Sequence, residues 1–345
     1  MLNVKRLFPE DLATAAKWDD FVFSCYDATF FHRSGWQKIV HDVFRHDTYF
    51  LYVEDNGIIQ GVLPLAHVNS WMFGNSLVGL PFAVYGGVAS ISSQAGEALE
   101  LEALKIAKHL GVNHFEARNL KPRHSDWPHQ DLYVTFRKEI YPDVEANMLA
   151  IPRKQRAMVR KGIKHGLVSE IENDVDRFFS LYATNVHRHG TPAMPKHYFK
   201  ALVTEFGADC EVLTVCGPDG RPLSSVLSFY FRDEVLPYYA GDDESARDFA
   251  ANDFKYWELM RRSCERELKV FDFGRSKQGT GSFAFKKNWG FSPTPLHYEY
   301  CLYKCDDIPQ NNPSNAKYKL LISIWRRMPL ALANWLGPFV VRNLG

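Results

Sequence analysis

The segment DTYFLYVEDNGIIQGVLPLA, residues 47–66, carries the pattern that decides the fold. Two apolar, β-branched runs flank Asn56 and Gly57, and Asn-Gly favours the positive φ angles of a tight hairpin turn. The same arrangement recurs in EVLTVCGPDGRPLSSVLSFYF, residues 211–231, around the turn at Gly220. Two similar hairpins far apart along the chain indicate a repeated unit.

The segments that follow the two hairpins also match. A helix with one apolar face is predicted over residues 94–110, with Gly111 as its C-terminal stop, and a strand over 112–119 comes next. In the second half, a helix over 252–266 leads into a strand over 268–275. This shared order predicts an α/β (mixed α+β) fold of two mixed sheets covered by helices, produced by internal duplication. Two unrelated α/β domains are the alternative.

A chain of 345 residues accommodates two domains of ordinary size. We predict the boundary between residues 142 and 151, after a strand over 132–141 that is assigned to the first domain. The predicted domains are residues 1–147 and 148–305. A linker rich in Pro, Asn and Ser then leads into a C-terminal tail, and the two together span residues 306–345.

Composition narrows the classes of function. Lys plus Arg number 41 against 40 Asp plus Glu, so an anionic partner must be met by a local patch. None of the six cysteines forms a CxxC pair or lies at metal-site spacing to a histidine, so no metal site is predicted. The first residues lack the pattern of a secretion signal, and no run reaches the ~20 apolar residues of a membrane-spanning helix. We therefore expect a cytoplasmic location.

The segment IPRKQRAMVRKGIKHG, residues 151–166, predicts a basic helix. Arg156, Arg160 and Lys164 follow one another at intervals of four on one face, where like charges repel. That arrangement is favourable if the face binds a polyanion such as a phosphate chain. A basic face in contact with water only is the alternative.

The segment VFDFGRSKQGTGSFAFKKNWGF, residues 270–291, predicts a ligand-binding loop at the end of a strand. Successive backbone N–H groups in a Gly-rich turn before a helix form an anion-binding concavity. The alternative is a Gly-rich connection with lysines on the surface. The residues predicted to bind substrate here are Arg275, Lys277, Gly279, Gly281 and Lys287.

Two further segments supply weaker candidates. FFHRSGWQKIVHDVF, residues 30–44, predicts a helix in which Trp36 and Lys38 are candidate ligand contacts, although Trp36 would more commonly be core. YYAGDD, residues 238–243, places Tyr239 beside an acidic turn, with a buried tyrosine as the alternative.

These segments, together with HRHGTPAMPKHYFKAL at 187–202, resemble the Fem-type aminoacyltransferases that attach amino acids to cell-envelope precursors. More narrowly, they resemble the branch associated with exosortase and exopolysaccharide gene clusters. The resemblance covers residues 1–305 and implies tandem GNAT-like domains. It also implies aminoacyl-tRNA as donor and an anionic, lipid- or nucleotide-linked precursor as acceptor. The long helical arm of some Fem-type enzymes has no room between residues 166 and 210.

The resemblance implies residue roles as well. A lysine important for substrate binding and catalysis maps onto Lys286, the phosphate-contacting helix onto Arg156 and Arg160, and a further lysine onto Lys38. We expect Lys286 to support the reacting carbonyl. Asp272 ends the preceding strand and is the second catalytic candidate, with orientation of a neighbour as its alternative role.

Two other functions stay open. The first is an acyl-CoA-dependent N-acyltransferase, for which a (Arg/Gln)-x-x-Gly-x-(Gly/Ala) loop before a helix is typical; residues 278–283 approach this pattern but end in Phe283. The second is a non-catalytic protein that binds envelope polysaccharide. No resident cofactor is expected, because aminoacyl-tRNA or acyl-CoA would act as a co-substrate.

The tail at residues 317–345 combines arginines with the apolar runs LLISIW and MPLALANWLGPFVV and contains no acid. Such a composition suits peripheral contact with an anionic inner membrane face. Packing against its own domain or a dimer partner is the alternative.

Overall fold

The computed structural model describes residues 2–70, 73–309 and 316–343, without the side chains of 316–320. The chain forms two compact units. Unit 1 comprises Met1–Asp131, Leu296–Asn311 and Arg342–Gly345, and unit 2 comprises Leu132–Pro295 and Asn312–Val341. Most of the predicted linker, residues 310–315, lies outside the described residues.

Elements are numbered along the chain. Up to residue 131 they are β1 (Val4–Leu7), α1 (Leu12–Ser24), α2 (Gly35–Phe44), β2 (Asp47–Asp55), β3 (Ile58–Ser70), β4 (Gly74–Gly79), β5 (Ala89–Ser90), α3 (Ser93–Leu110), β6 (His114–Asn119) and β7 (His129–Gln130). From residue 132 they are β8 (Tyr133–Glu139), α4 (Val144–Ala150), α5 (Arg153–Lys164), β9 (Val168–Ile171), α6 (Asp176–His189), α7 (Lys196–Phe206), β10 (Cys210–Cys216), β11 (Pro222–Phe231), β12 (Glu234–Asp242), α8 (Ala246–Phe249), α9 (Ala251–Glu265), β13 (Val270–Asp272), β14 (Ser276–Lys277), α10 (Gly281–Asn288), β15 (Pro293–Pro295), β16 (His297–Leu302), α11 (Ala316–Arg327) and α12 (Leu330–Val341).

The predicted hairpins and helices are present. Asn56 and Gly57 both have positive φ at the first turn, 49° and 81°, and Gly220 has φ 77° at the second. Gly111 ends α3 in the left-handed conformation, with its N–H bonded back to the last turn. These positions need glycine or asparagine because other side chains are strained there.

The two sheets repeat one strand order. In unit 1 the order is β1-β2-β3-β4-β6-β16-β7, and in unit 2, read in the same direction, it is β9-β10-β11-β12-β13-β8-β14. The single parallel step also recurs, between β4 and β6 and between β12 and β13. This correspondence confirms the predicted tandem arrangement of two similar mixed-sheet domains.

The structure differs from the predicted domain boundaries in two strands. The strand assigned to the first domain, now β8, pairs with β13 in the second sheet, where Val270 faces Glu139. The strand near the end of the predicted second domain, β16, pairs instead with β6 in the first sheet, where Tyr298 faces Arg118. Periodicity identifies a strand but carries no information about which sheet accepts it, so the sequence could not reveal this exchange.

The centre of the second sheet is irregular. The register between β11 and β12 shifts between Leu227, which pairs with Tyr239, and Ser228, which pairs with Pro237, so the bulge lies at Tyr238. β12 pairs with β13 only at Glu234 and Val235, which face Val270 and Phe271, so the contact between these two strands ends there while each stays paired with its other neighbour. Bulges of this kind are common beside active sites, because they redirect side chains and end strand pairing.

Helix α6 packs directly on β12. A Cβ atom added at Gly241 would lie 2.3 Å from the backbone nitrogen of Tyr182 on α6. Only glycine allows such an approach, which fixes the end of β12 against the helix. Among the described helices, none is both long enough and apolar enough to cross a membrane.

Candidate active site

A cavity of about 420 Å³ opens in unit 2 where β12 ends and α9 begins. Asp242 of β12 and Asp253 of α9 form part of its wall, together with Met158 of α5 and Phe285 of α10. Arg188 of α6 lies at the same wall. With Ala246 and Arg247 of α8, the cavity is lined by five helices and the end of a central strand, which is a common place for a ligand site in open α/β sheets.

Asp253 is the carboxylate in this wall that no cation neutralises directly. It is 9 % exposed and forms no ion pair within the described parts of the chain. Its Oδ1 accepts a hydrogen bond from Trp289 Nε1 at 2.9 Å. Burial raises the pKa of Asp253 to about 6, against the opposing effects of that hydrogen bond and of Lys255. A carboxylate in a cavity with a pKa near neutrality is suited to accept a proton from a substrate.

The neighbouring acids are held by the protein. Lys255 is completely buried, and its Nζ donates to Asp242 Oδ1 at 2.9 Å. The hydroxyl of Ser224 donates to the same oxygen. A buried lysine without a partner would be strongly disfavoured, so this pair fixes Asp242 at the cavity wall. Asp242 is consequently a wall residue, whereas Asp253 is available to a ligand.

Lys286 lies on α10 and holds the loop that follows β13. Its Nζ donates to the carbonyl oxygens of Phe273, Gly274 and Arg275 at 2.6, 3.0 and 3.0 Å. An ammonium has three N–H groups, and all three are used. Burial lowers the pKa of Lys286 to about 8, with Asp272 opposing and Arg275 reinforcing the shift. The observed contacts are those of a residue that positions the loop, and direct support of a reacting carbonyl stays a prediction.

Asp272 anchors the start of the same loop. It is completely buried, and its Oδ1 accepts from the backbone N–H of Gly274 at 2.7 Å and from Thr135 Oγ1 at 3.3 Å. Arg137 Nε lies 3.3 Å from Oδ2. Complete burial with these partners corresponds to the orienting role, the alternative that the sequence left open.

The basic stripe predicted on α5 lies on one side of that helix and the cavity on the other. Met158 lines the cavity, and Gly162 packs on Phe254, where an added Cβ would lie 2.8 Å away. Arg160 and Lys164 are exposed about half a turn away. Half-buried Arg156 donates to the carbonyl of Leu149 at 3.0 Å. Phosphate binding by Arg156, Arg160 and Lys164 remains a prediction.

The Gly-rich loop presents an accessible helix start. Thr280 caps α10 by accepting from the N–H of Phe283, and a Cβ atom added at Gly279 or Gly281 would meet no atom within 4 Å. The exposed guanidinium of Arg275 stacks on Tyr133 at 4.6 Å. Lys277 is half-buried and Lys287 exposed. The loop retains the geometry of an anion site, and substrate binding by these residues remains a prediction.

The prediction that Trp36 contacts a ligand is wrong. It is 1 % exposed, packs on Phe31 and donates Nε1 to the carbonyl of Phe30 at 3.2 Å. The apolar stripe of α2 drew this aromatic ring into the core of unit 1. Lys38, on the same helix, is exposed, and its predicted contact is untested.

Tyr239 belongs to an aromatic cluster. Its hydroxyl is 3.0 Å from that of Tyr198, and its ring packs edge-on against Phe199. Burial holds the pKa of Tyr239 well above its usual value. These contacts correspond to the buried tyrosine that the sequence left as the alternative.

The acidic wall does not fit the diphosphate of acyl-CoA at the start of α9. The connection from β12 to α9 places Asp243, Glu244 and Arg247 at the cavity and contains no glycine. Phosphates placed at the cavity would face Asp253 as well. Within the described residues, no group of three or more His, Cys, Asp or Glu side chains could hold a metal ion.

Sequence reasoning missed Asp253 and Lys255. An acid in the first turn of a helix is common because it complements the helix dipole, and a lysine two residues later adds no unusual pattern. Neither residue gave a signal, because burial beside a cavity depends on the packing of α5, α9 and α10.

Comparison with known proteins supports the architecture. Residues 152–287 match the family model described as an acetyltransferase (GNAT) domain. No curated protein sequence matches the chain. The FemX crystal structure is similar, with a TM-score of 0.65, 15 % identity, and coverage of 88 % of this chain and 98 % of that one.

Two further structures show the same likeness. A C-terminal domain assigned to a lysylphosphatidylglycerol synthetase of Agrobacterium fabrum has a TM-score of 0.57 and 11 % identity, covering 91 % of this chain and 97 % of that one. A tandem GNAT protein from the clavulanic acid pathway has a TM-score of 0.53 and 14 % identity, covering 89 % and 100 %. The chain therefore has a tandem GNAT-type fold, and its second unit carries the acetyltransferase (GNAT) domain.

Proposed function

We propose that this protein is an aminoacyltransferase, which moves an aminoacyl group from an ester donor to an amine of an anionic cell-envelope precursor. The observation that carries the proposal is the acidic cavity with Asp253 in its wall. Amines are cationic at neutral pH, and such a wall attracts an ammonium group and offers a carboxylate to take its proton.

The proposed donor is aminoacyl-tRNA, and the proposed acceptor is a peptidoglycan-like or exopolysaccharide-linked precursor. The fold likeness to FemX and to a domain assigned to a lysylphosphatidylglycerol synthetase supports an aminoacyl group, as does the sequence resemblance to Fem-type enzymes. An aminoacyl-tRNA donor implies a cytoplasmic location for the protein. Phosphates of the substrates would bind Arg275 and Lys277 in the loop before α10, Lys287 in the last turn of α10, and Arg156, Arg160 and Lys164 on α5.

The proposed reaction forms a C–N amide bond and breaks the C–O ester bond of the donor. Asp253 removes a proton from the ammonium group of the acceptor, and the neutral amine attacks the ester carbonyl. When the tetrahedral intermediate collapses, the ribose oxygen leaves as a hydroxyl with the second proton lost by the attacking nitrogen, and Asp253 releases the first proton to solvent. Alignment of two bound reactants supplies much of the rate enhancement.

Lys286 acts in this scheme as a positioning residue. It connects α10, which lines the cavity through Phe285, with the loop of residues 273–275. Trp289, the residue that follows α10, donates a hydrogen bond to Asp253. α10 and the residue after it thus position both the loop and the proposed base.

The test compares donors directly. Purified protein is incubated with envelope precursors and either a charged tRNA pool or acetyl-CoA, and the products are followed by mass spectrometry. We expect transfer from aminoacyl-tRNA, a decrease of about 100-fold or more in Asp253→Asn, and normal transfer in the exposed control Asp248→Asn. Saturable binding of CoA with transfer from acetyl-CoA would support the acyl-CoA alternative. Glycan binding without any transfer would support a binding protein.

The pH dependence gives a second readout. Activity is expected to rise through pH about 6, as Asp253 ionises, and to fall above about 8, as Lys286 loses the charge that holds the loop. Lys286→Ala should lower kcat and remove the fall above pH 8. If the activity of Asp253→Asn still rises through pH about 6, Asp253 is excluded as the base.

A further inference from the structure

Helix α12 carries apolar residues on every side, and Asn334 is its one polar side chain. The segment MPLALANWLGPFVV, residues 328–341, contains no charged residue. A helix that is apolar on all sides is stable when all sides are covered. α12 lies at the surface of unit 2, so the protein covers one side of the helix and leaves apolar residues exposed on the other.

The covered side is built from small residues. Ala333, Gly337 and Val341 follow at intervals of four and are buried. At Gly337 an added Cβ would lie 2.9 Å from the carbonyl oxygen of Ala193, so the helix backbone lies directly on the protein. This docking fixes which side of α12 faces outward.

The outward side carries large apolar residues, which we call the apolar face: Leu332, Trp335 and Phe339. They are 43 %, 65 % and 58 % exposed. The rings of Trp335 and Phe339 pack edge-on at 6.0 Å, so they form one continuous strip. Leu321 and Ile324 on the preceding helix α11 are also exposed. Adjoining exposed side chains of this size commonly mark an interaction site.

Arginines end helix α11, just before α12. Arg326 and Arg327 are exposed and, with Ile322 and Ser323, line a groove of about 420 Å³. Arg326 Nη2 donates to the carbonyl of His189 at 3.1 Å, which holds its side chain in the groove. Neither arginine forms an ion pair in the described part of the chain, and residues 308–345 contain no acid. A guanidinium pair beside a hydroxyl is suited to bind phosphate oxygens.

We propose that α11 and α12 dock the protein on an anionic lipid bilayer. The apolar face enters the region between headgroups and acyl chains, where Trp and Phe are favoured, while Arg326 and Arg327 bind lipid phosphates. α12 has 12 residues and lies along the surface. This inference does not depend on the proposed reaction.

A second copy of the chain fits the face less well. A stable interface buries roughly 800 Å² per partner, whereas three partly exposed side chains offer on the order of 300 Å². The face also lacks the carboxylates that would neutralise the arginines of another copy. A bilayer supplies both an apolar layer and phosphates.

The experiment is flotation of the full-length protein with vesicles. We expect binding to vesicles of phosphatidylcholine with 30 mol % phosphatidylglycerol, and little to phosphatidylcholine alone. Trp335→Ser/Phe339→Ser and Arg326→Gln/Arg327→Gln should each weaken the partition about tenfold or more. The control Leu12→Ser, which changes an exposed leucine of unit 1, should bind like wild type.

Several outcomes would overturn the proposal. Absence of binding by the wild type is one, and full binding by Trp335→Ser/Phe339→Ser is another. A dimer in analytical ultracentrifugation that the same double variant dissociates, without vesicle binding, would assign the face to a second copy. Thermal unfolding of each variant checks that the fold is intact. We expect unchanged unfolding temperatures, because the substituted side chains are exposed.

Discussion

At the scale of single residues, the carboxylate of Asp253 is both the proposed catalytic base and a group that destabilises the folded protein when it is ionised. Its pKa is raised from 3.8 to about 6 in the folded chain, so folding favours the protonated form. The associated stabilisation is complete below pH about 4 and is lost as the pH rises through about 6. Above that pH the protein carries a buried carboxylate without a cation bonded to it. Sites arranged for function commonly carry such costs.

Asp253→Asn should therefore stabilise the protein at pH 8. The shift of about two pKa units already includes the attraction to Lys255 and corresponds to roughly 3 kcal/mol, so we expect a gain of about 1–3 kcal/mol. The amide retains an oxygen that can accept from Trp289. Chemical denaturation at pH 8 and pH 4.5 measures the effect, which should decrease toward the lower pH.

The matched substitution Asp248→Asn changes an exposed acid five residues earlier and should leave the free energy of unfolding unchanged at both pH values. A less stable Asp253→Asn variant at pH 8 would show that the carboxylate is stabilised by its surroundings, contrary to the pKa direction.

At the scale of elements, the close contact between β12 and α6 determines where Asp242 and the cavity lie. Gly241→Ala places a methyl group against three backbone atoms of Leu181 and Tyr182 at 2.3–2.5 Å. Backbone atoms cannot move aside as a flexible side chain does. We expect a loss of about 1–3 kcal/mol or more in the free energy of unfolding, measured by denaturant titration.

Gly281→Ala is the matched control for that change. An added Cβ at Gly281 meets no atom within 4 Å, and the position begins helix α10. Alanine should be neutral or slightly stabilising there, because it favours the helix. Equal losses in the two variants would mean that the contact with α6 is not what makes Gly241→Ala costly.

Elements were predictable from the sequence where local chemistry decides them. Asn56-Gly57 set the first hairpin, Gly111 ended α3, and the basic helix began after Pro152. The site was only partly predictable. Lys286 was identified through a family resemblance, but its three carbonyl partners depend on how the loop after β13 folds back. Asp253 depends on packing among three helices, which no local pattern encodes.

At the scale of the whole molecule, the exchanged strands make each sheet dependent on distant sequence. A fragment of residues 1–147 contains β8, which the second sheet uses, and lacks β16, which the first sheet needs. The edge of β6 would be unpaired, and such edges associate with other chains. We expect this fragment to aggregate and to show no cooperative thermal transition by circular dichroism.

A designed fragment tests the cause. Residues 1–131 joined by a flexible linker to residues 296–303 supply β16 to unit 1 and should unfold cooperatively. The same linker followed by residues 132–139, which supply β8, should not restore folding. Cooperative unfolding of the 1–147 fragment alone would show that unit 1 folds without β16.

The position of β16 also sets an order of events during protein synthesis. The ribosome releases residues 1–131 first, yet the strand that completes their sheet follows all of the second unit's described strands. The first 131 residues therefore have an incomplete sheet, with the edge of β6 open, while more than 160 further residues are translated (Leu132–Pro295). A nascent chain in this condition is expected to need chaperones, and premature termination anywhere in the second unit before β16 leaves the first unit unfinished as well.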